Sequence, residues 1–206
     1  ELMTINFSFL AFDQIVNNAA KLHYMSNGQI TIPIVIRMAS GGGSQLGATH
    51  SHSLEGLYAH FPGLKVVCPS SPADGKGLLK QAFRDDNPVI FIEHTANYGL
   101  KGEVPEQEDF LIEFGKASIL REGRDVTLIG YSGSVHQAVR AADLLAEQEE
   151  IDAEVIDLRT LRPLDMDTVI ESVKKTNRAV VVEDDWRFGG FAGEIASQIM
   201  EKAFDW

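Results

Sequence analysis

The sequence predicts two α/β domains, each built around a parallel or mixed sheet, and two observations lead to that prediction. First, short apolar runs rich in β-branched residues alternate with amphipathic stretches along most of the chain. Runs of this kind are typical of strands that helices cover on both faces. Second, the alternation stops over residues 99–123, where Gly, Pro and Glu are scattered, and then starts again. We therefore predict a first domain over residues 1–98, a linker over 99–123 and a second domain over 124–206.

The first domain is predicted to hold one long helix before three buried strands. Residues 9–25 carry apolar side chains mainly at helical spacing. Residues 30–36, 64–68 and 88–92 are short apolar runs and predict strands. Residues 71–84 predict a helix between the last two strands. A strand, a helix and a strand at this spacing predict a parallel pair.

The second domain is predicted to alternate strands and helices to its end. Within the linker, residues 110–119 have room for a short strand or two. Beyond it, the predicted order is strand 126–131, helix 134–148, strand 153–158, helix 166–176, strand 179–183 and helix 190–204. We expect this half of the chain to form an α/β unit of its own.

The net charge limits the classes of partner that the chain could bind, and the single cysteine indicates its compartment. The chain has 18 basic and 30 acidic residues and a net charge of -12, which would repel both nucleic acid and an anionic membrane surface. No apolar stretch reaches the roughly 18 residues that a membrane span needs. Cys68 has no second cysteine to pair with and lies in an apolar run. It predicts a buried thiol in a reducing compartment.

The two ends of the chain carry no recognisable tail. The start has neither the basic region nor the cleavage site of a signal peptide. The chain begins within a predicted strand and stops just after a predicted helix. We therefore expect a fragment of a longer protein, truncated at both ends.

The loop after the strand at 30–36 is the best candidate for a ligand site. Ligands of open parallel sheets bind beyond the carboxyl ends of the strands, in loops that lead to the next helix. Residues 39–53 are rich in glycine, which permits unusual backbone angles and the close approach of a ligand. The loop ends with His50, His52 and Ser53, and Ser53 is expected to cap a helix that begins near Leu54. The alternative is a flexible surface turn.

The two histidines of this loop favour one acid-base group over a metal site. In an extended chain, His50 and His52 would point to opposite sides. No zinc-binding pattern surrounds them. A single imidazole that exchanges a proton with a substrate oxygen is the favoured role. The remaining histidines have no supporting motif and are interpreted as structural: His23, His60, His94 and His136.

Neither glycine-rich segment matches a known phosphate loop. Residues 41–43 lack both the Gly-Lys-Ser or Gly-Lys-Thr of a P-loop and the Gly-x-Gly-x-x-Gly of a dinucleotide site. Gly189 and Gly190 precede the last predicted helix, whose N-terminus is a candidate anion site, but the same pair serves equally as a turn. The residues by themselves therefore predict one ligand loop and name no reaction.

Four segments give the chain a resemblance to a known family. Residues 49–79 (THSHSLEGLYAHFPGLKVVCPSSPADGKGLL), 82–94 (AFRDDNPVIFIEH), 155–165 (VIDLRTLRPLD) and 173–178 (VKKTNR) closely resemble the beta chains of pyruvate, acetoin and branched-chain 2-oxo acid dehydrogenases. The resemblance extends over nearly the whole chain. It implies a transketolase-like fold, in which a partial pyrimidine-binding domain is followed by a partial transketolase C-terminal domain.

The resemblance also implies a cofactor shared with a second protein. Thiamine diphosphate is expected at an interface with an alpha chain, which holds the diphosphate and magnesium in an alpha2beta2 assembly. The Gly-Asp-Gly motif that binds the diphosphate is absent from this chain. Phe7, in the segment TINFS, matches the aromatic residue that packs on the aminopyrimidine ring; the alternative is an ordinary core Phe. The glutamate that protonates the aminopyrimidine is expected upstream of Glu1, so we expect the 206-residue chain to be inactive alone.

Two further roles are carried over from the resemblance. His50 matches the active-site histidine near the thiazolium, which is implied to assist proton transfer during acyl transfer to the lipoyl arm. Five residues match positions that surround a structural potassium ion in some members, mainly through carbonyl oxygens: Ile34, Ala82, Phe83, Asp85 and Asn87. The alternative for residues 85–88 is a turn that ends a helix.

The function implied by the resemblance is the beta-chain part of a 2-oxo acid dehydrogenase. This component decarboxylates pyruvate and passes an acetyl group to the lipoyl arm of a dihydrolipoamide acyltransferase core. Acetoin and branched-chain 2-oxo acids are alternative substrates, and a single-chain transketolase or deoxyxylulose phosphate synthase is an alternative parent protein. An inactive assembly module is a further alternative. The expected location is the bacterial cytoplasm or an organelle matrix.

Overall fold

Nine strands form two sheets, and the computed structural model describes residues 1–206. In chain order the strands are β1 Leu2–Thr4, β2 Val35–Ser40, β3 Lys65–Val67, β4 Val89–His94, β5 Ser118–Arg121, β6 Val126–Gly130, β7 Ala153–Asp157, β8 Thr160–Arg162 and β9 Ala179–Val181. The first sheet has the order β1-β2-β4-β3-β8, and the second has the order β5-β7-β6-β9. The predicted fold class, with two parallel or mixed sheets, is confirmed.

Both sheets are parallel at the centre and antiparallel at one edge. In the first, β2 pairs in parallel with β1 and β4, and β4 pairs in parallel with β3. In the second, β6 pairs in parallel with β7 and β9, while β5 runs antiparallel to β7. Ser40 at the carboxyl end of β2 lies opposite His94 at the carboxyl end of β4. This edge is where the rule for parallel sheets places ligands.

Six α-helices connect the strands: α1 Ala20–Met25, α2 Glu55–His60, α3 Pro72–Ala82, α4 Ser134–Glu149, α5 Met166–Thr176 and α6 Ala192–Ala203. Ser71 caps α3 by accepting a hydrogen bond from the Asp74 N–H at 3.1 Å. The predicted cap at Ser53 is wrong, because α2 begins one residue later, after Leu54, and has no side-chain cap. None of these helices is both long and apolar enough to cross a lipid bilayer.

The single long helix predicted over residues 9–25 is wrong. A 3-10 helix, Ile5–Ala11, and a π-helix, Gln14–Ala19, precede the short α1. Asn18 donates a side-chain hydrogen bond to the carbonyl of Asp13 at 3.4 Å. Because such side chains compete with backbone N–H groups for carbonyl oxygens, they favour departures from a regular α-helix.

The strand predicted at 30–36 lies further along the chain than expected. The strand β2 begins at Val35, and residues 29–34 belong to no strand. Pro33 lies within the predicted range and has no N–H to donate to a sheet. The shift brings Ser40 to the edge of the sheet, immediately before Gly41.

The strand β8 joins the second half of the chain to the first sheet. It pairs antiparallel with β3, although it lies within the predicted second domain. The guanidinium of Arg162 also donates to the carbonyl of Ala59 at 2.6 Å. The two halves are therefore connected by backbone pairing as well as by the chain itself.

The apolar core is continuous between the two sheets. One cluster of 24 buried residues contains Ile90 and Ile92 of β4 together with Ile129 and Ile156 of the second sheet. Cys68 belongs to this cluster as a free, buried thiol, as predicted, and burial raises its pKa. The shared core fixes how the carboxyl ends of β2 and β4 face the second sheet.

Candidate functional site

The candidate site lies at the carboxyl end of β2, where the glycine-rich loop begins. Gly41, Gly43 and Gly47 have φ angles of +91°, +95° and +91°. Because other residues rarely adopt these angles, this backbone path depends on glycine. The loop closes in a 3-10 turn, Ala48–His50, in which the His50 N–H donates to the Gly47 carbonyl at 3.1 Å.

The structure brings Phe7 and His50, the two residues predicted at the cofactor, into contact. Their rings meet edge to face, with centroids 5.1 Å apart and planes at 78°. Phe7 belongs to the 3-10 helix that follows β1, and β1 is the neighbour of β2. The hydroxyl of Thr49 lies 3.1 Å from His50 Nδ1. Since Nδ1 is engaged by Thr49, Nε2 is the ring nitrogen that a ligand would reach.

Buried polar atoms without partners flank Phe7. The side-chain amide of Asn6 and the hydroxyl of Thr4 are inaccessible to water and make no hydrogen bond within the chain. Buried polar atoms are nearly always paired, so three unpaired atoms in this short segment are unusual. An aminopyrimidine offers hydrogen-bond donors, acceptors and a flat aromatic face. The residues around Phe7 therefore fit the pyrimidine end of thiamine diphosphate.

His52 belongs to a different part of the molecule. Its ring meets Trp186 edge to face, with centroids 5.1 Å apart and planes at 66°. The extended chain expected at His50 is replaced by the 3-10 turn, yet the two histidines still contact different residues. No group of three or more His, Cys, Asp or Glu side chains is placed to hold a metal ion.

A polar cluster between the two halves of the chain was missed by sequence reasoning. His94 Nε2 lies 2.7 Å from Asp184 Oδ2. Glu55 accepts a 2.5 Å hydrogen bond from the hydroxyl of Ser40, and its other oxygen is buried without a partner. Burial raises the pKa of Glu55 to about 7, against the opposing effect of the Ser40 hydrogen bond. We call these four residues the interdomain cluster.

A second buried cluster links the start of α3 to the end of β7. The Ser70 hydroxyl donates to Asp157, and Asp74 forms an ion pair with Arg159 at 2.8 Å. Burial raises the pKa of Asp157 to about 7. None of these side chains hydrogen-bonds to Phe7 or His50. Their contacts join the two halves of the chain, which is a structural role.

The turn predicted to hold potassium is stabilised by its own side chains. Asp85 accepts hydrogen bonds from the backbone N–H and the side-chain amide of Asn87, both at 2.9 Å. Asp85 also pairs with the ammonium group of Lys65. Burial acts to raise the pKa of Asp85, but these hydrogen bonds hold it below its usual value. The carboxylate of Asp85 therefore has a countercharge from the chain.

Two of the backbone carbonyls predicted to bind potassium, those of Ile34 and Ala82, each accept a single hydrogen bond. The Ile34 carbonyl accepts one hydrogen bond, from the Val89 N–H at 2.9 Å, and the Ala82 carbonyl accepts one from the Asp85 N–H at 3.3 Å. Each carbonyl oxygen keeps a second lone pair. The side chain of Phe83 is exposed, so Phe83 could contribute only through its backbone.

The N-terminus of α6, a candidate anion site, is occupied by a carboxylate of the chain. Glu183 accepts a hydrogen bond from the Ala192 N–H at 3.1 Å and another from the Tyr131 hydroxyl at 3.1 Å. A Cβ at Gly190 would lie 2.3 Å from Glu183. Gly190 thus makes room for this carboxylate, and the turn interpretation of Gly189 and Gly190 is the better one.

A groove of about 690 Å³ lies elsewhere, between α2, α6 and the loop that precedes α6. Trp186, Phe188 and Phe191 line it, whereas Phe7 and His50 do not. The candidate site is instead flanked by the exposed residues 42–49 of the glycine-rich loop.

Family models match both halves of the chain. The model described as "Transketolase, pyrimidine binding domain" matches residues 1–101, and the model described as "Transketolase, C-terminal domain" matches residues 115–206. A solved structure titled "Split gene transketolase, inactive beta4 tetramer" aligns with a TM-score of 0.81 and 26% identity, over 98% of this chain and 61% of that one.

Curated relatives of high identity align along the entire chain. The pyruvate dehydrogenase E1 component subunit beta of Rickettsia felis is 54% identical over 206 residues, which are 100% of this chain and 63% of the relative. The acetoin:2,6-dichlorophenolindophenol oxidoreductase subunit beta of Cupriavidus necator is 52% identical, over 99% of this chain and 60% of the relative. A mitochondrial pyruvate dehydrogenase E1 subunit beta of Dictyostelium discoideum is 47% identical, over 100% and 58%. The chain thus spans about 60% of the length of these relatives.

Proposed function

We propose a function from the premise that this chain belongs to the family built from the transketolase pyrimidine-binding and C-terminal domains. The chain forms the beta-subunit part of the decarboxylating component of a 2-oxo acid dehydrogenase, which oxidatively decarboxylates pyruvate and transfers an acetyl group to a lipoyl group. The observation that carries this proposal is the contact of Phe7 with His50 at the carboxyl end of β2. The 54% identity to a pyruvate dehydrogenase beta subunit supports it.

The residues of the site divide between binding and proton transfer. Thiamine diphosphate, when bound, supplies the carbanion chemistry of decarboxylation. Phe7 offers a flat apolar face for the aminopyrimidine ring, and the unpaired amide of Asn6 offers a donor and an acceptor beside it. His50 exchanges a proton through Nε2 while Thr49 holds Nδ1. The diphosphate and magnesium are held by an alpha chain, a division that the beta-subunit relatives support.

The proposed partners follow from this divided site. An alpha chain completes the cofactor site in an alpha2beta2 assembly, and a dihydrolipoamide acyltransferase core receives the acetyl group. The similarity to beta subunits of pyruvate dehydrogenase supports a second subunit at this site. Bacterial and mitochondrial relatives support a bacterial cytoplasm or an organelle matrix as the location. A potassium ion at the carbonyls of Ile34 and Ala82 is a further element of the proposal.

Acetoin is the second candidate substrate. An acetoin oxidoreductase beta subunit is 52% identical to the chain, only slightly less than the pyruvate dehydrogenase relative at 54%. The contact of Phe7 with His50 is compatible with both substrates. Substrate choice depends partly on the alpha chain.

The proposal is tested with the full-length beta chain assembled with the alpha chain of the same source. The assay follows decarboxylation and lipoyl acylation with pyruvate, acetoin and a branched-chain 2-oxo acid at equal concentrations. We expect the highest kcat/KM with pyruvate and no turnover with either chain alone. A higher kcat/KM with acetoin would identify acetoin as the substrate instead of pyruvate. A complex that assembles but is inactive would favour an assembly module.

A further inference from the structure

His94 is held at the junction of the two halves of the chain by both of its ring nitrogens. Nε2 lies 2.7 Å from Asp184 Oδ2, and Nδ1 accepts a hydrogen bond from the Ala96 N–H at 3.1 Å. Because Nδ1 is an acceptor, the ring proton lies on Nε2 and is donated to Asp184. The residue is only 8% exposed. The imidazole therefore has one tautomer and one orientation.

Two glycines make room for this ring. A Cβ at Gly41 would lie 2.2 Å from His94 Nε2, and a Cβ at Gly133 would lie 2.6 Å from His94 Cδ2. Gly41 is the first residue of the glycine-rich loop, and Gly133 directly precedes α4 of the second half. The His94 side chain thus packs against the start of the glycine-rich loop and against the residue that precedes α4.

The glycine-rich loop is fixed to the rest of the chain at its start, and near its end it is closed by a hydrogen bond within the loop. At its start, Gly41 is buried against His94, and the preceding Ser40 donates to Glu55 at 2.5 Å. At its end, the Ser51 hydroxyl donates to the Gly47 carbonyl at 2.9 Å. The residues between, 42–47, are exposed. The backbone path that brings His50 into contact with Phe7 therefore depends on the position of Gly41 at the start of the loop.

We propose that His94 is a positioning residue for the reaction. Because its ring packs against Gly41 and donates a hydrogen bond to Asp184 of the second half, it sets the course of the glycine-rich loop and thereby the approach of His50 to the cofactor site. This inference rests on the proposed function for its catalytic consequence, but the effect on the loop stands on the geometry alone. The hydrogen bond to His94 also lowers the pKa of Asp184, in accord with a proton donated to a carboxylate.

The variants are chosen to separate the hydrogen bond from the bulk of the ring. His94→Leu keeps an apolar side chain of comparable size but removes both hydrogen bonds. His94→Gln restores a donor near the position of Nε2. Asp184→Asn keeps an oxygen that accepts from Nε2, so it should be mild if the proton lies on His94, whereas Asp184→Leu should resemble His94→Leu.

The first measurement needs no activity: hydrogen–deuterium exchange of peptides covering residues 41–50 in the full-length beta chain assembled with its alpha chain. We expect His94→Leu to speed exchange in this loop while peptides of α5 keep their wild-type rate. His94→Gln should restore most of the protection. Unchanged loop exchange in His94→Leu, or equal acceleration throughout the chain, would overturn the proposal.

The second measurement is lipoyl acylation, normalised to assembled enzyme. We expect His94→Leu to lower kcat by about 10-fold to 10²-fold, the usual scale for misplacing a group near the reaction, with a smaller change in KM. His94→Gln should recover most of the loss. A lower melting temperature with unchanged kcat would contradict the proposal and show that His94 only stabilises the contact between the two halves of the chain. Failure of the wild-type complex to acylate lipoyl would refute the proposed function and leave the exchange result to decide the role of His94 in the loop.

Discussion

Glu55 shows how much burial changes a single carboxyl group in this molecule. It is 2% exposed, accepts a hydrogen bond from Ser40 and faces Asp185 and His94. Loss of hydration raises its pKa to about 7, Asp185 adds to the rise, and Ser40 and His94 oppose it. The protonated carboxyl is thus the form that folding favours over a wide pH range.

This shift predicts a pH-dependent contribution to stability. The folded pKa of about 7 is above the ordinary value of 4.5, so the folded chain binds the proton more tightly. The stabilisation is present in full below about 4.5 and is lost as the pH rises through about 7. We expect wild type to be more stable relative to Glu55→Gln at pH 5 than at pH 8, in thermal unfolding. Glu147→Gln, at an exposed position, is the control, and its stability relative to wild type should be the same at both pH values. A Glu55→Gln profile parallel to wild type would contradict the shift.

The connection from α2 to β3 depends on one glycine. Gly63 has a φ of +99°, and a Cβ there would lie 1.9 Å from the carbonyl oxygen of Ala20 in α1. The obstacle is backbone, which cannot move as a flexible side chain would. By contrast, Gly75 within α3 faces open space.

These two glycines predict opposite effects of the same substitution. Gly63→Ala should destabilise the chain by about 1–3 kcal/mol or more, because both the backbone angle and the contact are unfavourable. Gly75→Ala should stabilise it by about 0.5–1 kcal/mol, since alanine has the higher helix propensity. Urea unfolding of both variants measures the difference. A stabilising Gly63→Ala would show that the close approach to α1 is not as described.

The turn between α3 and β4 carries the potassium prediction. If the carbonyls of Ile34 and Ala82 bind potassium, replacing it with tetramethylammonium at equal ionic strength should lower the melting temperature, because ligand bound only by the folded state stabilises that state. An unchanged melting curve would leave the hydrogen bonds of Asp85 as the full explanation of the turn.

Elements with strong local signals were predicted well, and those decided by competing side chains were not. The helices α3, α4 and α5 and the strands β3, β4, β6 and β7 lie within a few residues of their predicted positions. The prediction of one long first helix was wrong because the Asn18 side chain competes for the Asp13 carbonyl. The strand predicted at 30–36 begins later, at Val35, because Pro33 has no N–H to donate to a sheet. Phe7 and His50 were identified by resemblance to a family, and their contact could not be inferred from their separation in the chain.

Contacts between residues distant in sequence hold the two halves of the chain together. The strand β8 has only three residues, too few to predict as a strand of the other sheet. His94 and Asp184 are 90 residues apart, and Ser70 and Asp157 are 87 apart. Their positions offered one signal, because His94 lies two residues beyond the predicted strand 88–92 and Asp184 directly follows the predicted strand 179–183. The two sheets thus share one large apolar cluster, and the candidate site lies at the carboxyl end of β2 in the first sheet.

His50, beside Phe7, is proposed as the proton-transfer group of this site. We expect His50→Ala, in the full-length beta chain assembled with its alpha chain, to slow lipoyl acylation by about 10²-fold or more, with a much smaller loss of thiamine diphosphate affinity. His52→Ala should cost little, because His52 contacts Trp186 and not Phe7. The two variants are compared side by side as acylation rates per assembled enzyme. Equal losses, or a larger loss in His52→Ala, would contradict the assignment of the site to His50.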